Sequence, residues 1–129
     1  NYTKAIELDP KPNPINAYYY WRGIAYHENG NYDLAISDLT KHIEATPNSP
    51  SFQSNLKFSY NLRGNSYYGK GDYETAIKDF TQAIQIDVYF AQAYQNRGDA
   101  YKNLGQKWLA EADYKKYREL SNKSNSNQK

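Results

Sequence analysis

The chain has 129 residues, a length that predicts one compact unit, and a formal charge of +2 from 16 basic and 14 acidic residues. Because cysteine is absent, disulfide scaffolds, thiol chemistry and cysteine-ligated zinc are excluded, although such a chain fits any redox compartment. No apolar run approaches the roughly 18 to 20 residues of a membrane helix, and the mean hydropathy is −1.03. We therefore expect no membrane span.

Leu, Ile, Val and Phe are scarce and together supply only 21 of the 129 residues. The deficit is made up by 15 Tyr and 2 Trp. Each buried aromatic ring removes roughly 150 to 250 Å² from water. The composition therefore predicts a core built largely from tyrosine.

The sequence contains an internal repeat. Arg-Gly occurs three times, with Tyr three residues after each Gly; the glycines stand at 23, 64 and 98. A second block beginning with Gly recurs at 30, 71 and 105, with the same spacings of 41 and 34 residues. The agreement indicates one unit copied three times, with seven additional residues between the first and second copies.

In chain order, we interpret residues 1–10 as the end of a truncated repeat, its second helix, followed by full repeats over 16–47, 57–88 and 91–122. Residues 48–56 form the insert. Since seven residues make close to two helical turns, the insert is predicted to extend the next helix backward to a start near Ser51, just after Pro50. Residues 123–129 contain no apolar side chain and are predicted to be a disordered tail.

Each full repeat is predicted to be a helical hairpin. Apolar residues recur at intervals of three and four in both halves of the unit. The glycines at 30, 71 and 105 permit left-handed ends of the first helices, after which Asn31, Asp72 and Gln106 begin the second helices, the first two as N-caps. No alternating strand pattern is present, so the fold class is predicted to be all-α.

The repeat has a period of 34 residues and carries, in order, an aromatic residue, Gly, Tyr, the block Gly-x-Tyr-x-x-Ala, an aromatic residue and Pro. It resembles the tetratricopeptide repeat (TPR). The matching positions are Tyr19, Gly23, Tyr26, Gly30, Tyr32, Ala35, Leu39, Pro47; Tyr60, Gly64, Tyr67, Gly71, Tyr73, Ala76, Phe80; and Tyr94, Gly98, Tyr101, Gly105, Ala110, Tyr114. The resemblance implies a right-handed superhelical solenoid of antiparallel helical hairpins. Four departures concern local packing: Val88, His42, Tyr117 and Lys107-Trp108.

The glycines that precede the repeated tyrosines are expected to let the two helices of a hairpin approach closely, with Ala35, Ala76 and Ala110 opposite them. Because the tyrosines recur with the period of the fold, we interpret them as packing residues rather than as a stacking site for bases or a cofactor.

Three of the four arginines, Arg22, Arg63 and Arg97, precede the repeat Gly, and an Asp follows each of them by sixteen residues. The recurring offset predicts a structural ladder of Arg–Asp pairs, within one hairpin or between neighbours. The functional alternative is an Arg row that binds a phosphate or carboxylate ligand. The Asp row would neutralise such a site, which argues against it.

The first helices of stacked hairpins line the concave wall of a solenoid. The residues predicted to face this groove are Tyr20, Ile24, His27, Asn61, Asn65, Tyr68, Gln95, Asn96, Asp99 and Lys102. The groove is aromatic and apolar at its N-terminal end and rich in amides elsewhere. Side-chain amides can bind the main chain of an extended peptide, although simple solvation of these groups is the alternative.

Some members of the TPR family contain a two-carboxylate clamp, which binds chaperone C-termini through Lys and Asn of successive first helices. Here Tyr20 and Ile24 stand where a Lys and an Asn are required, although Asn61 and Asn65 suit the neighbouring roles. These two departures argue against a chaperone-tail clamp.

No constellation in the sequence predicts catalysis, a cofactor or a metal. His27 and His42 belong to different helices, and a metal site requires three or four convergent ligands. Neither a glycine-rich phosphate loop nor a nucleophile elbow is present. From Lys107 onward six basic residues face three acidic ones, an excess that a helix C-terminus explains without nucleic acid.

We therefore interpret the chain as a non-catalytic protein-protein interaction module that binds an extended peptide or helix of a partner in its concave groove. The alternative is a self-association scaffold, a homo-oligomer that forms through the array ends. An array cut through a repeat is expected to expose an apolar face at one end, and Trp108, Tyr114 and Tyr117 are concentrated at the other. The sequence contains no targeting signal and leaves the compartment open, with the cytoplasm as the default expectation.

Overall fold

The computed structural model describes the backbone of residues 14–127 and the side chains of residues 16–123. It contains six long helices and one helix of a single turn: α1 (Pro14–Glu28), α2 (Tyr32–Ala45), α3 (Pro50–Gln53), α4 (Leu56–Lys70), α5 (Tyr73–Ile86), α6 (Ala91–Asn103) and α7 (Lys107–Asn127). The hairpins are α1–α2, α4–α5 and α6–α7, and they stack through α2 on α4 and α5 on α6. This is the predicted all-α, right-handed superhelical solenoid of antiparallel helical hairpins.

The turns inside the hairpins follow the sequence prediction. Gly30, Gly71 and Gly105 have φ values of 80°, 85° and 78°, a left-handed conformation that glycine adopts without steric cost. The side chain of Asp72 caps α5, since its Oδ1 accepts a hydrogen bond from the backbone N–H of Thr75 at 3.2 Å. Asn31 makes no side-chain capping hydrogen bond, so the prediction that it acts in the same way is wrong.

The interior contains less tyrosine than the composition predicts. The buried apolar residues are Ala35, Leu39, Leu56, Ala76, Phe80, Ala83, Ile84, Ala93, Tyr94, Ala100 and Ala110. Of the repeated tyrosines with described side chains, only Tyr94 is buried, and the others are half-buried. The reason is that small residues bring the helices close together, so the larger rings cover the interior from its edge.

The glycines of the first helices are packed against bulky side chains of the second helices. A Cβ on Gly64 would lie 2.6 Å from Cε1 of Phe80, and one on Gly98 would lie 2.8 Å from Cε1 of Tyr114. The predicted close approach is therefore confirmed. Aromatic rings lie opposite Gly64 and Gly98, whereas Leu39 lies opposite Gly23. Of the predicted alanines, Ala35 and Ala110 place their carbonyl oxygens 3.6 and 3.3 Å from the Cβ positions of Gly23 and Gly98.

The insert and the C-terminus differ from the sequence prediction. A helix begins at Pro50, but a turn at Ser54 and Asn55 separates α3 from α4, so the insert does not extend α4 continuously. The backbone N–H of Asn55 donates to Phe52 O and that of Phe58 to Asn55 O, and these bonds to the third residue back tighten the chain there. At the other end α7 continues through residues 123–127, where disorder was predicted. Each residue added to an existing helix gains a backbone hydrogen bond.

The predicted truncated repeat over residues 1–10 lies outside the described residues. Between residues 14 and 127, no helix has the length and apolar character that a membrane span requires.

Candidate functional site

The three repeated arginines are bound to aspartates of their own hairpins. Nε donates to Oδ2 and Nη2 to Oδ1, at 2.6 and 2.8 Å for Arg22–Asp38, 2.8 and 2.7 Å for Arg63–Asp79, and 2.8 Å for both in Arg97–Asp113. The predicted ladder is confirmed. Because each guanidinium directs two donors at a buried carboxylate, the row is not available as an anion site.

The third guanidinium nitrogen extends the ladder between hairpins, a contact that was not predicted from the sequence. Nη1 of Arg63 donates to Thr40 Oγ1 and Nη1 of Arg97 donates to Thr81 Oγ1, both at 3.1 Å. Each threonine lies on the second helix of the preceding hairpin. Thr40 follows Asp38 by two residues, and Thr81 follows Asp79 by two. This recurrence is the sequence signal that could have revealed the contact.

The first helices α1, α4 and α6 make few contacts with one another, whereas each packs closely against second helices. Their free faces carry the residues that the repeat geometry predicts to line the groove. Among the predicted groove residues with described side chains, Lys102 is exposed and the other nine are half-buried. Half-buried side chains remain accessible on one side, as a binding wall requires.

At the N-terminal end of the groove, a cavity of about 370 Å³ lies between α1 and α4. Its lining residues are Ala17, Tyr20, Trp21, His42, Asn55, Phe58 and Ser59. The rings of Tyr20 and Trp21 meet edge to face with centroids 5.3 Å apart. Only Tyr20 was among the predicted site residues, although Trp21 and Phe58 project from the same helix faces.

Further along α1, His27 is held by a buried serine. Ser66 Oγ donates to the carbonyl of Leu62 at 3.2 Å, so His27 Nδ1, at 2.9 Å, donates its proton to that oxygen. Burial lowers the pKa of His27, and the charge of Glu28 opposes this effect only in part. His27 is therefore a neutral, positioned ring, and Ile24 lies half-buried one turn before it.

In the middle of the groove, side-chain amides connect α4 to α6. Asn96 Nδ2 donates to Asn61 Oδ1 at 2.9 Å, and Gln92 Nε2 donates to Asn96 Oδ1 at 3.0 Å and to Gln95 Oε1 at 3.1 Å. Asn61 and Asn96 thus have a structural role, because their hydrogen bond joins α4 to α6, in addition to any binding role. Asn65, in contrast, makes no side-chain hydrogen bond to the described residues.

The C-terminal end of the groove is polar. Tyr68, Asp99, Lys102 and Asn103 line a cavity of about 580 Å³. Asn103 Nδ2 donates to the hydroxyl of Tyr68 at 2.8 Å. Tyr114 donates its hydroxyl proton to Asp99 Oδ1 at 2.6 Å, and burial together with this carboxylate raises the pKa of Tyr114. Within the part of the chain that the structure describes, Lys102 has no ion pair.

His27 and His42 each have partners other than a cluster of acidic residues. Across the described ranges, no group of three or more His, Asp or Glu side chains is close enough to hold a metal ion. His27 bonds to Ser66 and His42 bonds to the carbonyl of Asn16 at 3.0 Å. The chemistry that this wall offers is therefore hydrogen bonding and aromatic contact.

Solved structures of similar fold include the first and second TPR of Spaghetti (RPAP3), each bound to the HSP90 peptide SRMEEVD. They are 27% and 28% identical to this chain, cover 81% of it and 78% and 91% of their own lengths, and superpose with a TM-score of 0.71 each. A crystal structure of MamA is 26% identical, with a TM-score of 0.77, over 97% of this chain and 67% of that one. No match was found among curated proteins.

Family models match most of the sequence. A tetratricopeptide-repeat model matches residues 1–50, a TPR-repeat model matches residues 64–105, and a further tetratricopeptide-repeat model matches residues 91–124. Together with the three stacked hairpins, these matches show that the chain belongs to the tetratricopeptide-repeat family.

Proposed function

We propose that this chain is a non-catalytic protein-protein interaction module whose concave groove binds an extended peptide or a helix of a partner. The observation that carries the proposal is the accessible wall formed by α1, α4 and α6. On this wall Asn65, whose side chain makes no hydrogen bond to the described residues, lies between two cavities. The two Spaghetti TPR structures with bound peptide support it, since they share the fold at 27% and 28% identity.

The ladder supports the same function because it holds the wall rigid. Buried Arg–Asp pairs fix each first helix to its second helix, and the threonine contacts fix successive hairpins. A wall that is ordered before binding loses less conformational entropy when the ligand arrives. The module therefore acts as a preformed scaffold for its partner.

The proposed ligand differs from the HSP90 peptide SRMEEVD, which carries three acidic side chains. Among the proposed groove residues, Lys102 is the only one with a positive charge, because burial keeps His27 neutral, and Asp99 lies beside Lys102 in the same cavity. An acidic peptide would meet little complementary charge. We infer that amide and aromatic contacts, rather than carboxylate binding, select the partner.

Affinity capture from a lysate of the source organism tests this proposal. The groove variant carries Asn65→Ala and Lys102→Ala, which leave the Asn61–Asn96 bond intact. The matched control carries Lys78→Ala and Gln82→Ala, the same two chemical types at exposed positions of α5. We expect the parent and the control to capture a partner that the groove variant loses. Equal capture by all three proteins would place binding outside the groove.

Self-association is the second candidate function, and a specific observation favours it. Trp108 at the start of α7 is 91% exposed, and Leu109 beside it is 48% exposed. Tyr114 and Tyr117, which the sequence grouped with Trp108 at this end, instead pack against Gly98 and the cluster around Tyr94. A mass from sedimentation velocity that rises with concentration, and falls to the monomer in Trp108→Ser, would favour assembly.

A further inference from the structure

We propose that the cavity between α1 and α4 is an anchor site for a tyrosine side chain of the partner, with Ser59 as a hydrogen-bonding group in its lining. This inference rests on the proposed function, because the tyrosine is presented by the peptide that occupies the groove. The cavity has a volume of about 370 Å³, ample for a phenol ring, and is lined by side chains of α1 and α4 together with His42 of α2 and Asn55.

The walls of the cavity are aromatic. Trp21 and Phe58 are 49% and 46% exposed, although large apolar side chains on a folded protein gain from burial. Tyr20 stands between Trp21 and His42, with its ring centroid 5.3 and 5.1 Å from theirs. A flat ring entering here finds edge and face contacts on several sides, the arrangement that aromatic pairs prefer.

Ser59 provides the second, independent observation. The residue lines the cavity and is only 1% exposed, yet its Oγ has no hydrogen-bond partner among the described residues. A buried hydroxyl without a partner destabilises the free protein, because it has lost its bonds to water without replacement. A ligand that supplies a polar atom at this point recovers that lost interaction.

His42 adds an acceptor to the same lining. The carbonyl of Asn16 can only accept, so the ring nitrogen 3.0 Å from it, Nδ1, carries the proton. Burial lowers the pKa of His42, which keeps the ring neutral and leaves Nε2 as an acceptor. The cavity thus combines an acceptor with a serine hydroxyl that can donate or accept.

Tyrosine is the natural side chain that matches this combination. Its ring fills an aromatic cavity, and its hydroxyl can donate one hydrogen bond and accept another. Phenylalanine has the ring but leaves Ser59 without a partner. A lysine or arginine head would be separated from any counter-charge, since neither Asp nor Glu lines the cavity.

The test uses the full chain and a displayed library of random peptides, from which binders are selected and resynthesised with Tyr→Phe and Tyr→Ala replacements. We expect the selected peptides to share a tyrosine, and Tyr→Phe to weaken binding about fivefold, the effect of one ordinary hydrogen bond. On the Ser59→Ala protein the difference between the Tyr and Phe peptides should shrink, because only the acceptor of His42 is left to the tyrosine hydroxyl. Ser37→Ala, at an exposed position of α2, is the matched control and should keep the preference.

Thermal unfolding provides a readout that a purely structural serine would not produce. Because Ser59→Ala removes an unpartnered hydroxyl, we expect its midpoint to equal or exceed that of the parent. Ser66→Ala should lower the midpoint, since Ser66 bonds to both His27 and Leu62. A lowered midpoint in Ser59→Ala would count against the anchor role.

The outcomes separate this inference from the proposed function. One outcome is that the peptides bind the Asn65→Ala, Lys102→Ala protein more weakly but bind the parent equally well after a Tyr→Phe change in the peptide. This result would overturn the tyrosine anchor and leave the groove proposal standing. A Tyr→Phe loss of equal size on the parent and on Ser59→Ala would also overturn it. A library that yields no binder, or only binders unaffected by the groove variant, would contradict both proposals.

Discussion

Arg63 connects three helices through one guanidinium group. Its Nε and Nη2 donate to the two carboxylate oxygens of Asp79 on α5, at 2.8 and 2.7 Å, and its Nη1 donates to Thr40 on α2 at 3.1 Å. The side chains of Arg63 and Asp79 are 18% and 6% exposed. Arg97 repeats the arrangement with Asp113 and Thr81. The contact within a hairpin and the contact between hairpins thus depend on the same residue.

Replacing Asp79 by Asn should destabilise the fold strongly. The change leaves the largely buried guanidinium of Arg63 without its counter-charge, and breaking a buried pair on one side costs about 3 kcal/mol or more. Urea unfolding followed by circular dichroism measures the free energy of unfolding of both proteins. The double variant Arg63→Met with Asp79→Leu should recover much of the loss, because it removes both charges together.

The control for this experiment is an exposed ion pair in which an aspartate faces a lysine. Lys70 Nζ lies 2.5 Å from Asp33 Oδ1, but the Asp33 side chain is 80% exposed, so Asp33→Asn should change stability little. If Asp79→Asn were equally harmless and instead weakened ligand binding, the arginine row would be a binding element and the ladder interpretation would be wrong.

Gly64 is expected to tolerate no side chain while Phe80 occupies its present position. A Cβ would lie 2.6 Å from Cε1 and 2.8 Å from Cδ1 of that ring. Although alanine has the better helix propensity by about 1 kcal/mol, overpacking typically costs about 1 to 3 kcal/mol, so Gly64→Ala should lower stability or leave no net gain. Chemical denaturation of the variant measures the difference.

A double-mutant cycle with Phe80→Leu checks the cause. The smaller side chain makes room for the new Cβ, so the two changes together should cost less than the sum of the single effects. Strictly additive costs would mean that the collision with the ring is not what limits position 64.

The repeat register, the hairpin turns and the ladder could be predicted because each depends on a spacing that occurs three times in the sequence. The break at Ser54 and Asn55 could not, since helical periodicity sets the facing of a helix but not its continuity. The bond between Asn61 and Asn96 and the burial of Ser59 depend on the distance between neighbouring first helices. That distance follows from side-chain packing, which no spacing encodes.

Asp72 and Asn31 occupy corresponding positions before α5 and α2 but should differ in their contribution to stability. Asp72 Oδ1 accepts a hydrogen bond from the backbone of Thr75, whereas Asn31 makes no such bond. We expect Asp72→Ala to cost about 1 kcal/mol, and Asn31→Ala to cost clearly less. Denaturant titration of the two variants side by side provides the comparison, and equal losses would mean that both side chains cap their helices in solution.

Acidification through the histidine range should destabilise the protein. Burial lowers the pKa values of His27 and His42 in the folded chain, so between their unfolded value near 6.5 and their lower folded values the unfolded state binds more protons. Their contribution to stability is complete above about pH 7 and is lost as the pH falls through this window.

Unfolding free energies at about pH 7.5 and about pH 5.5, for the parent and for His27→Asn with His42→Asn, measure this effect. Asparagine retains a donor near the position of Nδ1 but does not titrate, so the variant should lose less stability on acidification. Asp79 contributes the opposite slope because burial raises its pKa, but it is present in both proteins and cancels in the comparison. Parallel pH profiles for the two proteins would show that the histidines are not buried as neutral rings.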